Sequence, residues 1–289
     1  MFDRLVVGFD GSRAAIGALE WAAEEAELRG AEVDVIACVF APALFPVWPA
    51  GEIPVYDIDA VRADAEADLG RVLTDLARTH PHVRSEPTVV LGRAVDVLSA
   101  ESKSADILVV GATGAGRIED ALLGSTAHVL ARTSACPLAL VPFGEPRAKM
   151  DRIVVGTDGS EHSDAALDWA VDEAVRRGAE LVVVHTWFYP YGVSAFGSFE
   201  MHDRTRVDAN LVLGTAVDRC RERTTVTVRG ELVEDSAAPA LIAEASQADL
   251  IVVGSRGRGR FRRLLFGSVA RAVAEHSPCP VVIVRSTPG

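Results

Sequence analysis

The chain has 289 residues, of which 49% are hydrophobic and 24% charged, with a formal net charge of -12. This balance is typical of a globular protein and excludes extensive disorder. The acidic surplus works against binding to duplex nucleic acid, because phosphates attract basic surfaces. No stretch approaches the roughly 18 uncharged apolar residues of a membrane span. We therefore expect a cytoplasmic protein that binds neither nucleic acid nor membranes.

The four cysteines, Cys38, Cys136, Cys220 and Cys279, are widely spaced along the chain. None belongs to a C-x-x-C pair, and no histidine cluster lies near them in the sequence. This spacing argues against a zinc site or a disulfide framework. We expect buried, reduced thiols and no metal site made by the protein alone.

The chain repeats itself once. Arg4–Ser12 returns as Arg152–Ser160, 148 residues later, and a second segment, Ala105–Gly111, returns 143 residues further on. A period this long indicates a duplicated domain and not a solenoid of short repeats. Proline and glycine near the join break regular structure. We place the two domains at residues 1–144 and 150–289.

Strands and helices alternate in each copy. The elements predicted for the first copy are strand Leu5–Phe9, helix Arg13–Arg29, strand Val33–Val39, a helix with an apolar face from Val61 to Leu76, strand Thr88–Leu91, helix Ala94–Lys103, strand Ile107–Val110, helix Ser125–Thr133 and strand Leu138–Val141. Continuous Val, Ile and Leu runs between helices favour a parallel sheet buried on both faces. The predicted fold class is α/β, with two tandem doubly wound domains, each a five-stranded parallel sheet with helices on both faces. Ligands of such sheets bind beyond the carboxyl ends of the strands.

The pattern G-x-x-G-x9-G-S follows the fourth strand in both copies. Its fixed positions are Gly111, Gly114, Gly124 and Ser125 in the first copy and Gly254, Gly257, Gly267 and Ser268 in the second. Glycine lets the backbone approach a phosphate, and the free N–H groups of the following helix N-terminus suit an anion. One copy alone is equally typical of an ordinary strand–helix turn, but two matched copies favour phosphate binding. The pattern lacks the lysine of a P-loop ATPase.

Three features together resemble the universal stress protein family. They are the V-G-x-D-G-S start, the glycine loop, and the Cys-Pro pair before the last apolar strand of each copy. The likeness covers nearly the whole chain and is greatest to the tandem, actinobacterial members of the ATP-binding branch. It implies a nucleotide-dependent regulator of stress or growth, with ATP and Mg²⁺ as ligands. It also implies a homodimer and an unidentified regulatory protein partner.

The resemblance further implies which residues hold the nucleotide. In the first copy these are Gly8, Asp10, Val39, Gly111, Ala112, Thr113, Gly114, Ala115, Gly116, Arg117, Gly124, Ser125 and Thr126. In the second copy they are Gly156, Asp158, Trp187, Gly254, Ser255, Arg256, Gly257, Arg258, Gly259, Arg260, Gly267, Ser268 and Val269. The aspartates would lie near adenosine or the metal, the loops around ribose and phosphates, and Val39 and Trp187 beside adenine. The copies differ where Asp235 replaces the family's usual glycine, which the first copy keeps as Gly92.

Other interpretations of these residues stay open. Asp10 and Asp158 also fit simple helix-capping turns. The arginines from Arg256 to Arg263 fit either phosphate contacts or a solvated loop. We expect a binding protein and not an enzyme. The alternatives are a slow ATPase or nucleotidyl transferase, a cyclic AMP binder and a nucleotide-free scaffold.

Overall fold

The computed structural model describes residues 3–39, 57–114, 123–144, 149, 151–188, 199–258 and 266–286. The chain divides into two compact units, Met1–Phe143 and Gly144–Gly289. Each unit is an α/β domain whose strands all run parallel within it. Among the described helices, none is long and apolar enough to cross a membrane.

The first unit alternates five strands with four described helices. In chain order these are β1 (Arg4–Phe9), α1 (Arg13–Arg29), β2 (Glu32–Val39), α2 (Ile58–Thr79), β3 (Arg84–Leu91), α3 (Ala94–Glu101), β4 (Ile107–Gly111), α4 (Ser125–Thr133) and β5 (Leu138–Val141). Their order across the sheet is β3-β2-β1-β4-β5. The predicted parallel, five-stranded sheet is therefore confirmed for this unit.

The second unit repeats the same plan. Its elements are β6 (Arg152–Gly156), α5 (Glu161–Arg177), β7 (Glu180–Trp187), α6 (Phe199–Arg223), β8 (Val228–Glu234), α7 (Ala237–Ala245), β9 (Leu250–Gly254), α8 (Ser268–His276) and β10 (Val281–Val284). The strands lie in the order β8-β7-β6-β9-β10. The repeat read from the sequence is thus a repeat of the fold.

The chain reverses its direction across each sheet beside the first strand of the unit. From β1 the chain moves outward to β2 and β3, and then returns to place β4 on the other side of β1. In the second unit β6 and β9 are neighbours in the same way. Such a switch point leaves a crevice at the carboxyl ends of the two central strands. That crevice is where the glycine loops begin.

The central strands are buried on both faces. In β4 the run Ile107 to Val110 is at most 5% exposed, and the matching run in β9, Leu250 to Val253, is at most 4% exposed. Apolar residues at consecutive positions are what a sheet covered by helices on both sides requires. The core therefore surrounds the strands whose ends form each crevice and holds those ends in place.

Candidate functional site

A cavity lies at the switch point of the first unit, with a volume of about 260 Å³. This is close to the lower end of small-molecule pockets, about 300 Å³. The cavity is lined by residues predicted from the sequence to bind nucleotide: Gly8, Asp10, Gly111, Thr113, Gly114, Gly124, Ser125 and Thr126. Segments that are far apart in the sequence therefore meet at one site.

Asp10 and Gly114 form the centre of the first crevice. Asp10 directly follows β1, and its Oδ1 accepts a hydrogen bond of 3.0 Å from the backbone N–H of Ser12. A Cβ on Gly114 would lie 2.8 Å from Asp10 Oδ2, closer than real Cβ atoms come to another heavy atom. Only glycine lets the loop approach the carboxylate this closely. The Asp10 carboxylate and the loop backbone consequently face the same small space.

The loop leads into the N-terminus of α4. The N–H of Gly124 donates a 2.7 Å hydrogen bond to the Ala112 carbonyl, which closes the loop at its base. Gly124 is the N-cap of α4, and no side chain caps the helix there. The first N–H groups of a helix have no partner within the helix and carry partial positive charge. With Ser125 and Thr126 beside them, these groups can bind the oxygens of a phosphate.

An apolar wall closes the other side of the first cavity. A Cβ on Gly8 would lie 2.7 Å from Leu98 Cδ1, so glycine is needed for α3 to pack against the end of β1. Ile36 and Cys38 line the same cavity from β2. Burial raises the pKa of the Cys38 thiol, which keeps it uncharged. Such a surface suits a flat, largely apolar group such as a nucleobase.

The second unit builds the same centre with Asp158 and Gly257. A Cβ on Gly257 would overlap Asp158 Oδ2, as in the first unit. Asp158 Oδ1 accepts from the Ser160 N–H at 3.0 Å, and Oδ2 accepts from the Arg258 N–H at 2.6 Å. Burial acts to raise the pKa of Asp158, but hydrogen bonds from Ser160, the Arg258 backbone and Ser163 outweigh it and lower that pKa. The group is therefore a carboxylate at neutral pH.

The second glycine loop is closed at its base like the first. The Gly267 N–H donates a 2.9 Å hydrogen bond to the Ser255 carbonyl, and Gly267 is an N-cap of α8 without a capping side chain. A Cβ on Gly254 would lie 2.7 Å from the His162 backbone, so α5 packs directly on the start of the loop. Both units therefore hold an aspartate, a glycine loop and an uncapped helix N-terminus together.

Val39 and Ala112 lie beside the first cavity without lining it. The Val39 carbonyl accepts a 3.0 Å hydrogen bond from the Gly92 N–H, and it is the neighbouring Cys38 that lines the cavity. Ala112 is buried and contributes its carbonyl to the loop base. Trp187 is also buried, with its ring centroid 4.9 Å from that of His202.

Three further predicted residues of the second unit lie at or near the protein surface. Arg256 is exposed, Ser268 is exposed, and Val269 is half-buried at the start of α8. Five further predicted site residues lie outside the described ranges: Ala115, Gly116, Arg117, Gly259 and Arg260. Within the described ranges, no group of three or more His, Cys, Asp or Glu side chains could hold a metal ion.

Sequence reasoning did not identify the apolar wall. Ile36, Ala94 and Leu98 are ordinary core residues by their sequence pattern, and only the packing of α3 on β1 and β2 brings them to the cavity. The sequence signal that could have indicated this wall is the pair of glycines Gly8 and Gly156, where a Cβ would come very close to a leucine side chain. In the second unit a Cβ on Gly156 would lie 3.0 Å from Leu241 Cδ1, which repeats the contact of Gly8 with Leu98.

The fold and the two crevices define a tandem pair of doubly wound α/β domains. Each has a glycine loop that leads to an uncapped helix N-terminus at its switch point. Comparison with known proteins gives the same class. Residues 1–142 and 149–285 each match the universal stress protein family, so the chain belongs to that family as a tandem member.

Relatives of similar length show the same two-domain organisation. A universal stress protein of Mycobacterium tuberculosis is 34% identical over 297 residues, which covers 98% of this chain and 96% of the relative. One of Mycolicibacterium smegmatis is 33% identical over 290 residues, covering 97% and 96%. The crystal structure of an Archaeoglobus fulgidus universal stress protein covers 99% of this chain and 100% of its own, with a TM-score of 0.70 and 19% identity. This structure supports the fold.

Proposed function

We propose that each domain binds one adenine nucleotide, ATP with Mg²⁺, and that the bound nucleotide regulates the protein. The observation that carries this proposal is the duplicated arrangement of a strand-end aspartate, a glycine held against it and an uncapped helix N-terminus. Both copies keep the close contact between the glycine and the aspartate. A shared type of ligand explains this repetition better than chance does. The apolar wall of the first cavity suits adenine, and the loop suits phosphates.

The roles of the residues follow from their positions. Asp10 and Asp158 are the carboxylates available to a ribose hydroxyl or to a metal ion on the phosphates. Ser125 and Ser268 begin the helices whose N–H groups would bind phosphate oxygens. When bound, Mg²⁺ would neutralise part of the phosphate charge. A ligand that binds one state of the protein more tightly stabilises that state by linkage, which is how binding alone can regulate.

In the second domain, regulation by binding is favoured over hydrolysis because Asp158 is a poor candidate for a general base. Asp158 has a lowered pKa and already accepts backbone hydrogen bonds at both oxygens. A carboxylate of this kind takes up a proton weakly.

Two further parts of the proposal, pairing of chains into a homodimer and action in the cytoplasm on an unidentified regulatory protein, stay predictions.

Charge placed at each helix start tests the proposal. Ser125→Asp and Ser268→Asp each put a carboxylate at the first residue of an exposed helix N-terminus, where it favours the helix but repels phosphate. We expect each variant to weaken ATP binding at its own crevice by about tenfold or more. Isothermal titration calorimetry of the full chain measures affinity and stoichiometry together.

Matched controls add the same charge elsewhere. Thr74 in α2 and Thr215 in α6 are exposed, and each hydroxyl donates to a carbonyl four residues earlier in its helix. Thr74→Asp and Thr215→Asp should leave ATP binding unchanged. If all four variants bind ATP like the unmodified chain, or if the unmodified chain binds none, the helix starts are not phosphate sites and the proposal fails.

A further inference from the structure

Arg258 distinguishes the two crevices. It follows Gly257, the second glycine of the second loop, and the 143-residue offset matches it to Ala115 in the first copy. The second loop therefore carries a positive charge next to its crevice at a position where the first loop has a methyl group. Ala115 lies outside the described residues, so this comparison rests on the sequence alone.

The backbone of Arg258 is fixed to the centre of the crevice. Its N–H donates a 2.6 Å hydrogen bond to Asp158 Oδ2, while Asp158 Oδ1 accepts from Ser160. The Cα of Arg258 is thereby held beside the carboxyl end of β6. The Arg258 side chain therefore leaves the backbone beside the crevice and not in the outer part of the loop.

The guanidinium of Arg258 turns back toward the segment between β6 and α5. Its Nη2 donates a 2.8 Å hydrogen bond to the carbonyl of Gly159. A Cβ on Gly159 would lie 3.0 Å from that Nη2, so the guanidinium rests against the turn between β6 and α5. Within the described ranges Arg258 forms no ion pair, although a guanidinium has five N–H donors. Its charge thus has a neutral partner here.

Support of the turn does not explain why an arginine is needed. The equivalent turn of the first unit forms with alanine at the matching position: Ser12 donates to Asp10 Oδ1 at 3.0 Å, and Gly11 adopts φ +77. In the second unit Ser160 donates to Asp158 Oδ1 at the same distance, and Gly159 adopts φ +70. Since the turn is the same with and without the guanidinium, the turn itself does not require Arg258.

We propose that Arg258 makes the second crevice selective for nucleotides with a charged phosphate chain, whereas the first crevice discriminates less. This inference rests on the proposed function, because it assigns a ligand preference to one of its two sites. A guanidinium can form two parallel hydrogen bonds to a phosphate and is also attracted by its negative charge, an attraction that the neutral Gly159 carbonyl lacks. A phosphate chain at the α8 N-terminus therefore competes with the Gly159 carbonyl for the guanidinium, and adenosine does not.

The test isolates phosphate binding at the second crevice of the full chain. Adenosine binding, which Ser125→Asp does not block at the first crevice, is compared as the difference between variants. In a Ser125→Asp background, which repels phosphate from the first crevice, ATP, ADP and adenosine are titrated by calorimetry with Arg258 intact, with Arg258→Ala and with Arg258→Lys. We expect Arg258→Ala to weaken ATP binding roughly tenfold and to leave adenosine binding unchanged. Arg258→Lys should retain part of the preference, because lysine keeps the charge but not the planar fork.

Two comparisons separate selectivity from structural damage. Arg229→Ala removes the same charge from an exposed position on the edge strand β8 and should change neither affinity. The melting temperature of Arg258→Ala should match that of its background, because the side chain is exposed.

Equal weakening of ATP and adenosine, or no change in either, would overturn the inference and leave the proposed function standing. Failure of the Ser125→Asp background to bind either ATP or ADP would overturn the inference together with the proposed function of the second domain.

Discussion

At the scale of single residues, one carboxylate performs two tasks in the second domain. Asp158 holds the turn into α5 through Ser160 and holds the glycine loop through the Arg258 N–H. The sequence predicted both strand-end aspartates and both glycine loops, because their spacing repeats. It did not predict that the Arg258 guanidinium reaches Gly159 or that Ser286 reaches His162. Such contacts depend on the folded arrangement of distant segments, which no local pattern encodes.

The contact between His162 and Ser286 predicts a dependence of stability on pH. His162 Nδ1 accepts a 3.0 Å hydrogen bond from the Ser286 N–H and lies 2.9 Å from its Oγ. Burial, then the charges of Arg256 and Arg285, lower the pKa of His162 below 6.5, against the opposite effect of Glu161 and Asp158. As the pH falls through 6.5, the unfolded chain takes up this proton before the folded domain does. The free energy of unfolding should therefore decrease toward acid.

His162→Asn keeps a hydrogen-bond acceptor at this position and removes the titrating group. We expect the loss of unfolding free energy between about pH 7.5 and about pH 5.5 to be smaller in the variant than in the unmodified chain. Urea unfolding at both pH values measures it. Because the other histidines are common to both proteins, the difference between them reports His162, and an equal or larger loss in the variant would contradict the assignment.

At the scale of helices and strands, sequence patterns determined most element bounds. Helix α1 begins and ends where predicted, because Ser12 caps its start and Gly30 adopts a left-handed conformation at its end. Strand β3 begins at Arg84, four residues before the predicted Thr88. Pro87 lies within β3, which is the edge strand of its unit's sheet, where a proline costs no ladder donor. The position of a strand in its sheet is tertiary information.

The apolar face predicted for the helix before β3 is only partly correct. Leu69 and Leu76 of α2 are buried, but Val61 is 43% exposed. Helical periodicity indicates which residues share a face, whereas burial depends on how far the helix runs along its neighbours. The buried part of α2 is its second half.

A buried ion pair recurs in the first helix of each domain. Glu25 pairs with Arg29 in α1, and Glu173 pairs with Arg177 in α5, and both glutamate side chains are fully buried. Glu25→Ala leaves Arg29 without this partner, so we expect a loss of about 3 kcal/mol in the free energy of unfolding. The exposed neighbour Glu24 provides the control, and Glu24→Ala should change stability by under about 0.5 kcal/mol.

Urea unfolding of the two variants, followed by circular dichroism, gives this comparison. A loss for Glu25→Ala no greater than that for Glu24→Ala would mean that the buried pair adds nothing to the stability of its domain. The prediction concerns the removal of one partner, because replacing both by apolar groups is often neutral.

At the scale of the whole molecule, the chain combines two domains that share one fold but differ in charge and in single residues near their crevices. Residues 1–144 contain 11 basic and 21 acidic side chains, whereas residues 145–289 contain 18 and 20. The second domain also has Asp235 where the first has Gly92, and Arg258 where the first has Ala115. The repeat in the sequence predicted two similar sites, and from these substitutions we expect the two sites to differ in affinity.

The nucleotide content of the purified protein tests the central claim most directly. The full chain is saturated with ATP and Mg²⁺, freed of unbound nucleotide and denatured, and the released nucleotides are identified by mass spectrometry with the amount per chain, which requires no assumption about the partner. Two working crevices that bind without hydrolysing predict ATP at close to two molecules per chain after saturation with ATP and Mg²⁺. Release of mainly ADP would contradict regulation by binding alone, and release of no nucleotide would contradict nucleotide binding itself.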